Sequence, residues 1–296
     1  MKLDQILKSA SLLFLSSALL GATPGSSGPY WPNTSPDIER AEPNLPFDED
    51  SGLERSDQNI EQGPFDVTQG QVDQAHGFYA KGSLVNASVF ALDGEGFTKI
   101  FRPRDRGYAT FDMTVVVGIA ASQLHHDYPG GEHVQIGDVC AKFGGQLAHH
   151  QSHQNGLDAD IAYMRVNHWE QDPSHINGFE ELFVKDGKIS PNFDEERVWD
   201  FIKAIHGTGR LVRIFMDPVI KATLCEYAQK IGEYDSQADV LRRIRPLALH
   251  QDHMHVRLTC PLKSPQCQAQ QDPPAGQGCA DVMPKPPTPM LSTLID

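Results

Sequence analysis

The chain has 296 residues, of which 39% are hydrophobic and 8% aromatic, enough apolar material for one or at most two folded cores. Its formal net charge of −14 argues against sequence-independent binding to nucleic acid, because such binding depends on lysine and arginine side chains that neutralise phosphates. The composition therefore predicts a globular protein that does not bind nucleic acid.

The N-terminal residues 1–22 predict an export signal. Lys2 and Lys8 precede an apolar run at 10–22, which is too short and too rich in serine for a comfortable membrane anchor. An uncleaved anchor is the alternative, because Leu20 stands where a small residue is preferred for cleavage. No later stretch is apolar enough to span a bilayer, so we expect the mature protein not to be an integral membrane protein.

Residues 23–75 predict an acidic, proline-rich, disordered linker. Between positions 23 and 66 the sequence carries ten aspartates and glutamates, two arginines and seven prolines. Such a segment cannot bury enough apolar surface to offset the conformational entropy that it would lose on folding. The folded domain is therefore expected at 76–283, followed by a flexible proline-rich tail at 284–296.

Within the predicted domain, helical and strand-like patterns alternate. Helices are predicted where apolar residues recur three and four apart, and strands where short apolar or alternating runs stand between turn residues. The predicted helices are 111–124, 193–205 (after Asn192) and 219–229. The predicted strands are 134–140, a half-buried strand at 157–163, 211–216 and 254–258.

Eight of the thirteen histidines fall in three clusters, and two of these clusters can converge. His153 precedes Asp160 by seven residues, and Gly156 supplies a turn between the loop histidine and the strand aspartate. His253 and His255 are two apart on a predicted strand, so their side chains leave the same face. The spacing therefore allows imidazoles and a carboxylate to meet at one point.

Two imidazoles and one carboxylate suit zinc and leave the fourth tetrahedral position for water, as a catalytic site requires. Asp158, on the same strand face as Asp160, is a candidate acceptor for the N–H of a ligand imidazole. Each half of the pattern alone is more often a polar surface than a metal site. Together they supply a complete ligand set, which favours a metal site.

Other hydrolase signatures are absent from the sequence. It contains neither Gly-x-Ser-x-Gly nor a His-Glu-x-x-His helix, which excludes the usual serine hydrolases and thermolysin-like enzymes. The histidines without a partner pattern are expected to be solvated: His125, His126, His149, His168 and His206.

Two segments, HHQSHQNGLDADI at 149–161 and HQDHMHVRLTCP at 250–261, resemble the penicillin-insensitive murein endopeptidases. That family belongs to the larger group that contains lysostaphin-type enzymes, D-Ala-D-Ala metallopeptidases and hedgehog domains. The resemblance covers roughly residues 95–283. It continues through Gly144-Gly145, RIFMDPVIKATLC at 213–225, IRP at 244–246 and the cysteine spacing at 260, 267 and 279.

The resemblance implies an α+β fold with a central, mostly antiparallel sheet that carries a zinc site and is flanked by helices. It also implies a periplasmic zinc peptidase that hydrolyses the D-alanyl to meso-diaminopimelyl cross-links of peptidoglycan. Carried over by position, the zinc ligands fall on His153, Asp160 and His255. The further active-site histidines fall on His150, His250 and His253.

These positions suggest roles for the histidines that do not bind the metal. His253 is expected to take the proton of the attacking water and pass it to the leaving amine. His250 and His150 are expected to stabilise the developing oxyanion or to orient the substrate. Two alternatives stay open: a D-Ala-D-Ala carboxypeptidase on the same site, and a non-catalytic zinc module that binds the cell wall.

The five cysteines suit an exported chain, in which an oxidising compartment allows them to pair. Their spacings do not match paired C-x-x-C zinc ligands, which favours disulfides in the C-terminal third. The resemblance implies two pairs, Cys260 with Cys267 and Cys225 with Cys279. Cys140 is left over, and we expect it to be buried and inert.

Overall fold

Thirteen strands and four α-helices are found in residues 72–283, the part of the chain described by the structure, a computed structural model. The strands are β1 Gln74–Phe78, β2 Lys81–Val85, β3 Ser88–Val89, β4 Asp93–Gly94, β5 Phe97–Lys99, β6 Tyr108–Ala109, β7 Val134–Ile136, β8 Asp158–Ala162, β9 Val184–Lys185, β10 Lys188–Ile189, β11 Leu211–Met216, β12 Ile244–Pro246 and β13 His253–Leu258. The helices are α1 Phe111–Asp127, α2 Glu195–Gly207, α3 Pro218–Lys230 and α4 Ala238–Arg243, with a turn of 3-10 helix at Arg102–Arg104.

The predicted signal at 1–22, the tail at 284–296 and nearly all of the linker at 23–75 lie outside the described residues. Strand β1 begins at Gln74, two residues before the predicted start of the domain, and buries Ala75 completely. Among residues 72–283, none of the helices has the length and apolar character needed to cross a membrane.

Seven strands form the central sheet, in the order β12-β11-β13-β8-β7-β5-β4. Four of its six neighbouring pairs are antiparallel, and the pairs β11 with β12 and β5 with β7 are parallel. Together with the helices, this mixed sheet confirms the expected α+β class. Strands β8 and β13 lie side by side in the middle of the sheet, where their inward residues belong to the core.

The helices α1 and α2 pack against one another. At the β12 end of the sheet, α3 contacts β12, and α4 contacts β11 and β12. The side chain of Thr110 accepts a hydrogen bond from the N–H of Met113 and so caps α1. Helix α2 begins two residues later than predicted, because the side chain of Asp194 accepts from the N–H of Arg197. Asn192, the predicted start signal, instead donates to Glu181.

The prediction that the strand at 157–163 is half-buried is wrong. All five residues of β8 are buried. The alternation of apolar and acidic residues is present, because Ala159 and Ile161 face the core while Asp158 and Asp160 leave the opposite face. That acidic face is also buried, because histidines and arginines from other segments cover it. The strand predicted at 134–140 is shorter than expected, since β7 ends at Ile136.

Two disulfides connect the C-terminal part of the domain. One joins Cys225 on α3 to Cys279, and the other joins Cys260 to Cys267 in the loop after β13. A disulfide stabilises by about 2–4 kcal/mol, chiefly by constraining the unfolded chain. These are the two pairs that the resemblance implied. Cys140 is free and fully buried, and its burial raises the pKa of the thiol to about 11.

Candidate metal centre and active site

The register of two central strands brings the predicted histidines and aspartate together. Strands β8 and β13 are antiparallel, and Asp160 lies directly opposite His255. His253 and His255 alternate with Met254, which is fully buried in the core. Because residues two apart on a strand share a face, both imidazoles stand on the same side of the sheet as Asp160.

His153 reaches this point from the loop before β8. Its backbone is in the left-handed region, with φ of 65°. Its N–H donates to Asp158 Oδ2 at 3.0 Å, and its Nδ1 lies 2.7 Å from the carbonyl oxygen of Val139. The loop needs glycine at Gly156, where φ is 74° and an added Cβ would come within 2.9 Å of the backbone N of Thr110. These contacts leave Nε2 of His153 directed at the carboxylate on β8.

Three potential ligand atoms from these segments are nearly equidistant. Asp160 Oδ1 lies 3.2 Å from His153 Nε2 and 3.4 Å from His255 Nδ1, and the two nitrogens are 3.3 Å apart. Tetrahedral coordination with metal–ligand bonds of about 2.0–2.1 Å separates ligand atoms by roughly 3.3–3.4 Å. Asp160 Oδ1 is buried and has no hydrogen-bond partner among the described residues. The triad therefore fits a zinc-sized ion.

A second group shares two of these residues. The ligand atoms of His150, His153 and Asp160 all lie within 4.8 Å of one another, so this group also could hold a metal. His150 Nδ1 is 3.6 Å from Asp160 Oδ2, whereas its Nε2 is 3.1 Å from Asp138 Oδ2. His150 is thus bound on its outer side by Asp138 and faces the other oxygen of Asp160.

His253 and His250 stand beside the triad. His253 Nε2 lies 3.6 Å from Asp160 Oδ1, while its Nδ1 is 2.6 Å from Asp252 Oδ1. The ring of Phe179 stacks on His253 at 4.9 Å between centroids. His250 is 5.0 Å from His253 between ring centroids, and its Nδ1 is 2.9 Å from the carbonyl oxygen of Ala248. Each imidazole is therefore oriented through Nδ1.

Burial and neighbouring charge act in opposite directions on these groups. Burial would raise the pKa of Asp160, but His153 and His253 outweigh it and hold the pKa far below its ordinary value. Burial would lower the pKa of His253, yet Asp160 and Asp252 raise it. For His250, burial dominates and lowers the pKa, which favours a neutral ring.

The pKa values of the two imidazoles in the triad shift in opposite directions. Burial would lower the pKa of His153, but the charges of Asp160 and Asp158 raise it to about 9. Burial lowers the pKa of His255 to about 4. Two adjacent imidazoles cannot both carry a proton easily, and a neutral imidazole is the form that ligates a metal.

Sequence reasoning identified Asp158 as a supporting residue but missed its strongest partner, Arg257. Asp158 Oδ1 lies 2.9 Å from His255 Nε2 and accepts from Arg257 Nε at 2.7 Å. The guanidinium of Arg257 also lies 4.2 Å from the ring centroid of Tyr79. The signal was present in the sequence, because Arg257 follows His255 by two residues on the same strand and so shares its face.

Asp138 was also missed. It follows β7, is 1% exposed, and accepts from Arg104, Arg106 and His150. Burial would raise its pKa, but His150 and the two arginines lower it to about 2. Its only sequence signal is an aspartate directly after a buried strand, which does not identify the histidine that it contacts.

Two histidines expected to be solvated also contact carboxylates away from this centre, although the side chain of His168 is 47% exposed, as expected. His168 Nδ1 lies 3.0 Å from Glu132 Oε2, and His206 Nε2 lies 2.6 Å from Asp239 Oδ2. Those partners are 36 and 33 residues away in the sequence, so local spacing could not reveal them. His125, His126 and His149 are exposed, as expected.

Comparison with known proteins gives a consistent result. The family model described as penicillin-insensitive murein endopeptidase matches residues 75–286. The chain is 32% identical over 209 residues to a penicillin-insensitive murein endopeptidase of Klebsiella pneumoniae, covering 70% of this chain and 73% of that protein. It is 33% identical over 224 residues to the Haemophilus influenzae protein of the same name, with coverages of 72% and 74%.

Proposed function

This chain belongs to the penicillin-insensitive murein endopeptidase family, and we propose that it is a zinc-dependent hydrolase of peptidoglycan cross-links. The bond is the amide between D-alanine and the D-centre of meso-diaminopimelate, and the place of action is the periplasm. The observation that carries the proposal is the buried triad of His153, Asp160 and His255, whose ligand atoms are separated by 3.2–3.4 Å. The two disulfides suit an oxidising compartment.

We assign the metal to this triad rather than to the overlapping group that includes His150. In the triad, His153 and His255 both face the same oxygen of Asp160, Oδ1, which has no hydrogen-bond partner among the described residues. His150 faces Oδ2 and is bound by Asp138 on its other nitrogen. When bound, zinc supplies a Lewis acid and lowers the pKa of a water molecule.

The remaining histidines supply proton transfer and orientation. His253 donates Nδ1–H to Asp252, which leaves the Nε2 lone pair on the side of Asp160. In that tautomer His253 accepts a proton from water at Nε2 and delivers it to the leaving amine. His250 donates Nδ1–H to the carbonyl oxygen of Ala248, so its Nε2 is free to accept an N–H of the substrate.

His150 is placed to act on the acyl side of the bond. Its Nε2–H donates to Asp138, and the rest of the ring packs 4.3 Å from His153 between centroids. The Nδ1 edge of the ring, 3.6 Å from Asp160 Oδ2, then faces the metal triad, where it orients the acyl side of the substrate. The guanidiniums on Asp138 keep that carboxylate ionised and so hold the ring in place.

The test is incubation of the purified protein with cross-linked muropeptide dimers, with and without a chelator, and with products identified by mass. Release of monomeric stems that stops on chelation and returns with zinc is the expected result. Loss of only a terminal D-alanine would replace the endopeptidase with a carboxypeptidase. Absence of cleavage by zinc-loaded protein that still binds the cell wall would indicate a binding module.

A further inference from the structure

Four neighbouring strands carry one row of side chains across the face of the central sheet that holds the metal triad. Asp160 on β8 lies opposite His255 on β13. His255 lies opposite Phe215 on β11, and Phe215 lies opposite Arg245 on β12. Paired residues on adjacent strands share a face, and Ile214, next to Phe215, is fully buried on the other face. The row therefore leads from the metal triad, past an aromatic ring, to a guanidinium.

Phe215 connects the two ends of this row. Its ring meets the ring of His255 edge-on, with 5.4 Å between the centroids. Neighbouring strands are about 4.7–4.9 Å apart, so the backbone of Arg245 lies roughly 10 Å from that of His255. That distance is about the length of three residues in an extended peptide. A substrate that extends from the metal across Phe215 therefore reaches Arg245 within a few residues of the scissile bond.

Arg213 joins Arg245 at this end of the sheet. It lies two residues before Phe215 on β11, so it shares the same face, and it is paired with Arg257 on β13. Burial and the charges of Arg245 and Arg257 lower the pKa of Arg213, because the three guanidiniums are near one another. Burial and the charge of Arg245 likewise lower the pKa of Lys221 to about 8. The guanidiniums themselves stay protonated, so positive charge accumulates here.

The acids that act on these arginines are already paired. Arg257 donates from Nε to Asp158 Oδ1 at 2.7 Å, which balances its charge. Asp272 acts on the pKa of Arg213 in the opposite direction to burial, but its carboxylate is bound by two other arginines. In the described part of the chain, no carboxylate lies within 4.0 Å of the guanidinium of Arg213 or of Arg245. Two positive charges on this face are therefore left without a partner there.

Both guanidiniums also keep N–H donors for a ligand. Arg213 donates from Nη2 to the carbonyl oxygen of Gln271 at 3.0 Å, while its Nε is buried without a hydrogen-bond partner among the described residues. Both arginines are partly exposed. Guanidiniums with free N–H groups are suited to bind a carboxylate through paired, charge-assisted hydrogen bonds.

The order of the strands puts these arginines on the amine side of the scissile bond. His150, assigned to the acyl side, is bound by Asp138, which follows β7. Strands β7 and β11 flank the central pair β8 and β13 on opposite sides. Arg213 and Arg245 therefore lie across the triad from His150, where the leaving stem of a cross-link would extend.

The leaving stem of the proposed substrate matches this row in its chemistry. Its diaminopimelate supplies the scissile nitrogen and continues through a chain of methylene groups, which suits the apolar ring of Phe215. One residue beyond this diaminopimelate, the stem carries two free carboxylates, one on a terminal D-alanine and one on a γ-linked glutamate. The sequence of amide, methylene chain and carboxylate follows the sequence of metal triad, aromatic ring and guanidiniums.

We propose that Arg213 and Arg245 form a subsite for a carboxylate of the leaving stem, one residue beyond the diaminopimelate that supplies the scissile nitrogen. The inference rests on the proposed function for the identity of the bond. Neither arginine contacts a histidine of the active site, so the subsite is separate from the groups that carry out the reaction.

The test uses three cross-linked dimers that differ only in the leaving stem. One has both free carboxylates, one has the terminal D-alanine converted to a carboxamide, and one has the glutamate converted to a carboxamide. Amidation of the carboxylate that binds should lower kcat/KM of the native protein at least about tenfold, as expected for charge-assisted hydrogen bonds. The loss should lie in KM, because a remote contact is made equally in the ground state and the transition state.

The double variant Arg213→Gln with Arg245→Gln should cleave all three dimers equally and leave kcat unchanged. Arg245→Lys, which keeps the charge but not the planar fork, should retain part of the discrimination. The amidated dimer that the native protein cleaves more slowly identifies which of the two carboxylates is bound. If neither amidation slows the native protein, the inference is wrong.

Arg102→Gln is the matched control, because it removes the same charge at the opposite edge of the sheet. The Arg102 guanidinium binds Asp93 on β4, whereas Arg245 lies on β12. This variant should keep the native discrimination. Because the discrimination is a ratio of rates measured on one preparation, partial unfolding of a variant does not alter it.

A second arm measures binding of the three released leaving stems by calorimetry, which does not depend on cleavage. Equal affinity of the native protein for all three stems, or an equal loss for all three in the double variant, would overturn the inference. If no dimer is cleaved but the acidic stem binds more tightly and the double variant removes the difference, the inference holds and the proposed function fails. If the native protein cleaves all three dimers at the same rate, the proposed function stands and the inference fails.

Discussion

Two buried carboxylates, Asp160 and Glu132, differ in what surrounds them. Asp160 is 3% exposed and is approached by imidazoles, and its Oδ1 has no hydrogen-bond partner among the described residues. Glu132 is 7% exposed, and both of its oxygens are satisfied. Its Oε1 accepts from the backbone N–H of Arg165 at 2.6 Å, and its Oε2 accepts from Arg197 and contacts His168.

The difference lies in the chemistry of the partner. A guanidinium has N–H donors but no lone pair, so Arg197 can only satisfy the carboxylate and lock it in place. An imidazole can donate through one nitrogen and offer a lone pair through the other, so His153 and His255 can share a metal with Asp160. A carboxylate whose two oxygens both accept hydrogen bonds stabilises the fold. A carboxylate that is surrounded by imidazoles and has an oxygen without a hydrogen bond is suited to bind a metal ion.

The largest expected effect concerns Asp160 and the imidazoles proposed to bind a metal with it. His255→Ala removes one of three proposed ligands, so we expect loss of both bound zinc and peptidoglycan cleavage. His253→Ala should keep about one zinc per chain and lose about 10²–10⁴-fold in kcat, the range typical of a general base. Metal analysis and muropeptide cleavage on the same samples measure both effects. Equal loss of zinc in the two variants would overturn the ligand assignment.

Glu132→Gln removes the carboxylate nearest to the buried guanidinium of Arg197 and leaves only Asp194, at 3.9 Å, to balance its charge. Removal of one member of a buried pair costs about 3–5 kcal/mol, so the free energy of unfolding in urea should fall by this amount. His168→Ala removes the more exposed partner of the same carboxylate and should cost less than about 1 kcal/mol. Both variants should retain zinc; loss of zinc from Glu132→Gln would show that the two clusters are not independent.

Zinc itself provides a third comparison. A ligand that binds only the folded state at 100 times its Kd stabilises by about 2.7 kcal/mol. We expect zinc to raise the free energy of unfolding by this order in the native protein and in Glu132→Gln, and to have no effect in His255→Ala. An equal zinc effect in His255→Ala would place the ion elsewhere.

The smallest expected effect is the acid dependence of the Glu132 pair. Burial would raise the pKa of Glu132, but Arg197 and the N–H of Arg165 lower it below 4.5. The carboxylate therefore stabilises the fold above pH 4.5, and this contribution is lost as the pH falls through the lowered pKa. The difference in the free energy of unfolding between the native protein and Glu132→Gln should therefore become smaller as the pH falls below 4.5, as measured by equilibrium unfolding. A constant difference would contradict the assignment.

Local spacing predicted much of the fold. The strand at 211–216 has the predicted bounds, and α1 and α3 begin within one residue of their predicted starts. These elements were accessible because their patterns depend on residues a few positions apart. The start of α2 was wrong, because Asn192 and Asp194 are both good capping residues and only the packed chain shows that Asn192 binds Glu181 instead.

The histidine clusters were the sequence feature that predicted the candidate site. Their motifs identified the family, which the match over residues 75–286 confirms, and strand periodicity placed His253 and His255 on one face. The partners that support these residues were not predicted. Asp138 lies 34 residues from Arg104, and no local pattern connects the two. Arg257 shares a strand face with His255, but only the register of β13 against β8 places it beside Asp158.

The sequence by itself determined the family, the alternation of helices and strands, and the side chains able to bind a metal, because these depend on residue type and short-range periodicity. Only the tertiary structure decided which carboxylates are satisfied and which are not. That outcome depends on the register of β8 against β13 and on arginines from distant segments. The physical reason is that a buried carboxylate oxygen without an N–H donor carries a large free-energy cost, which water cannot offset.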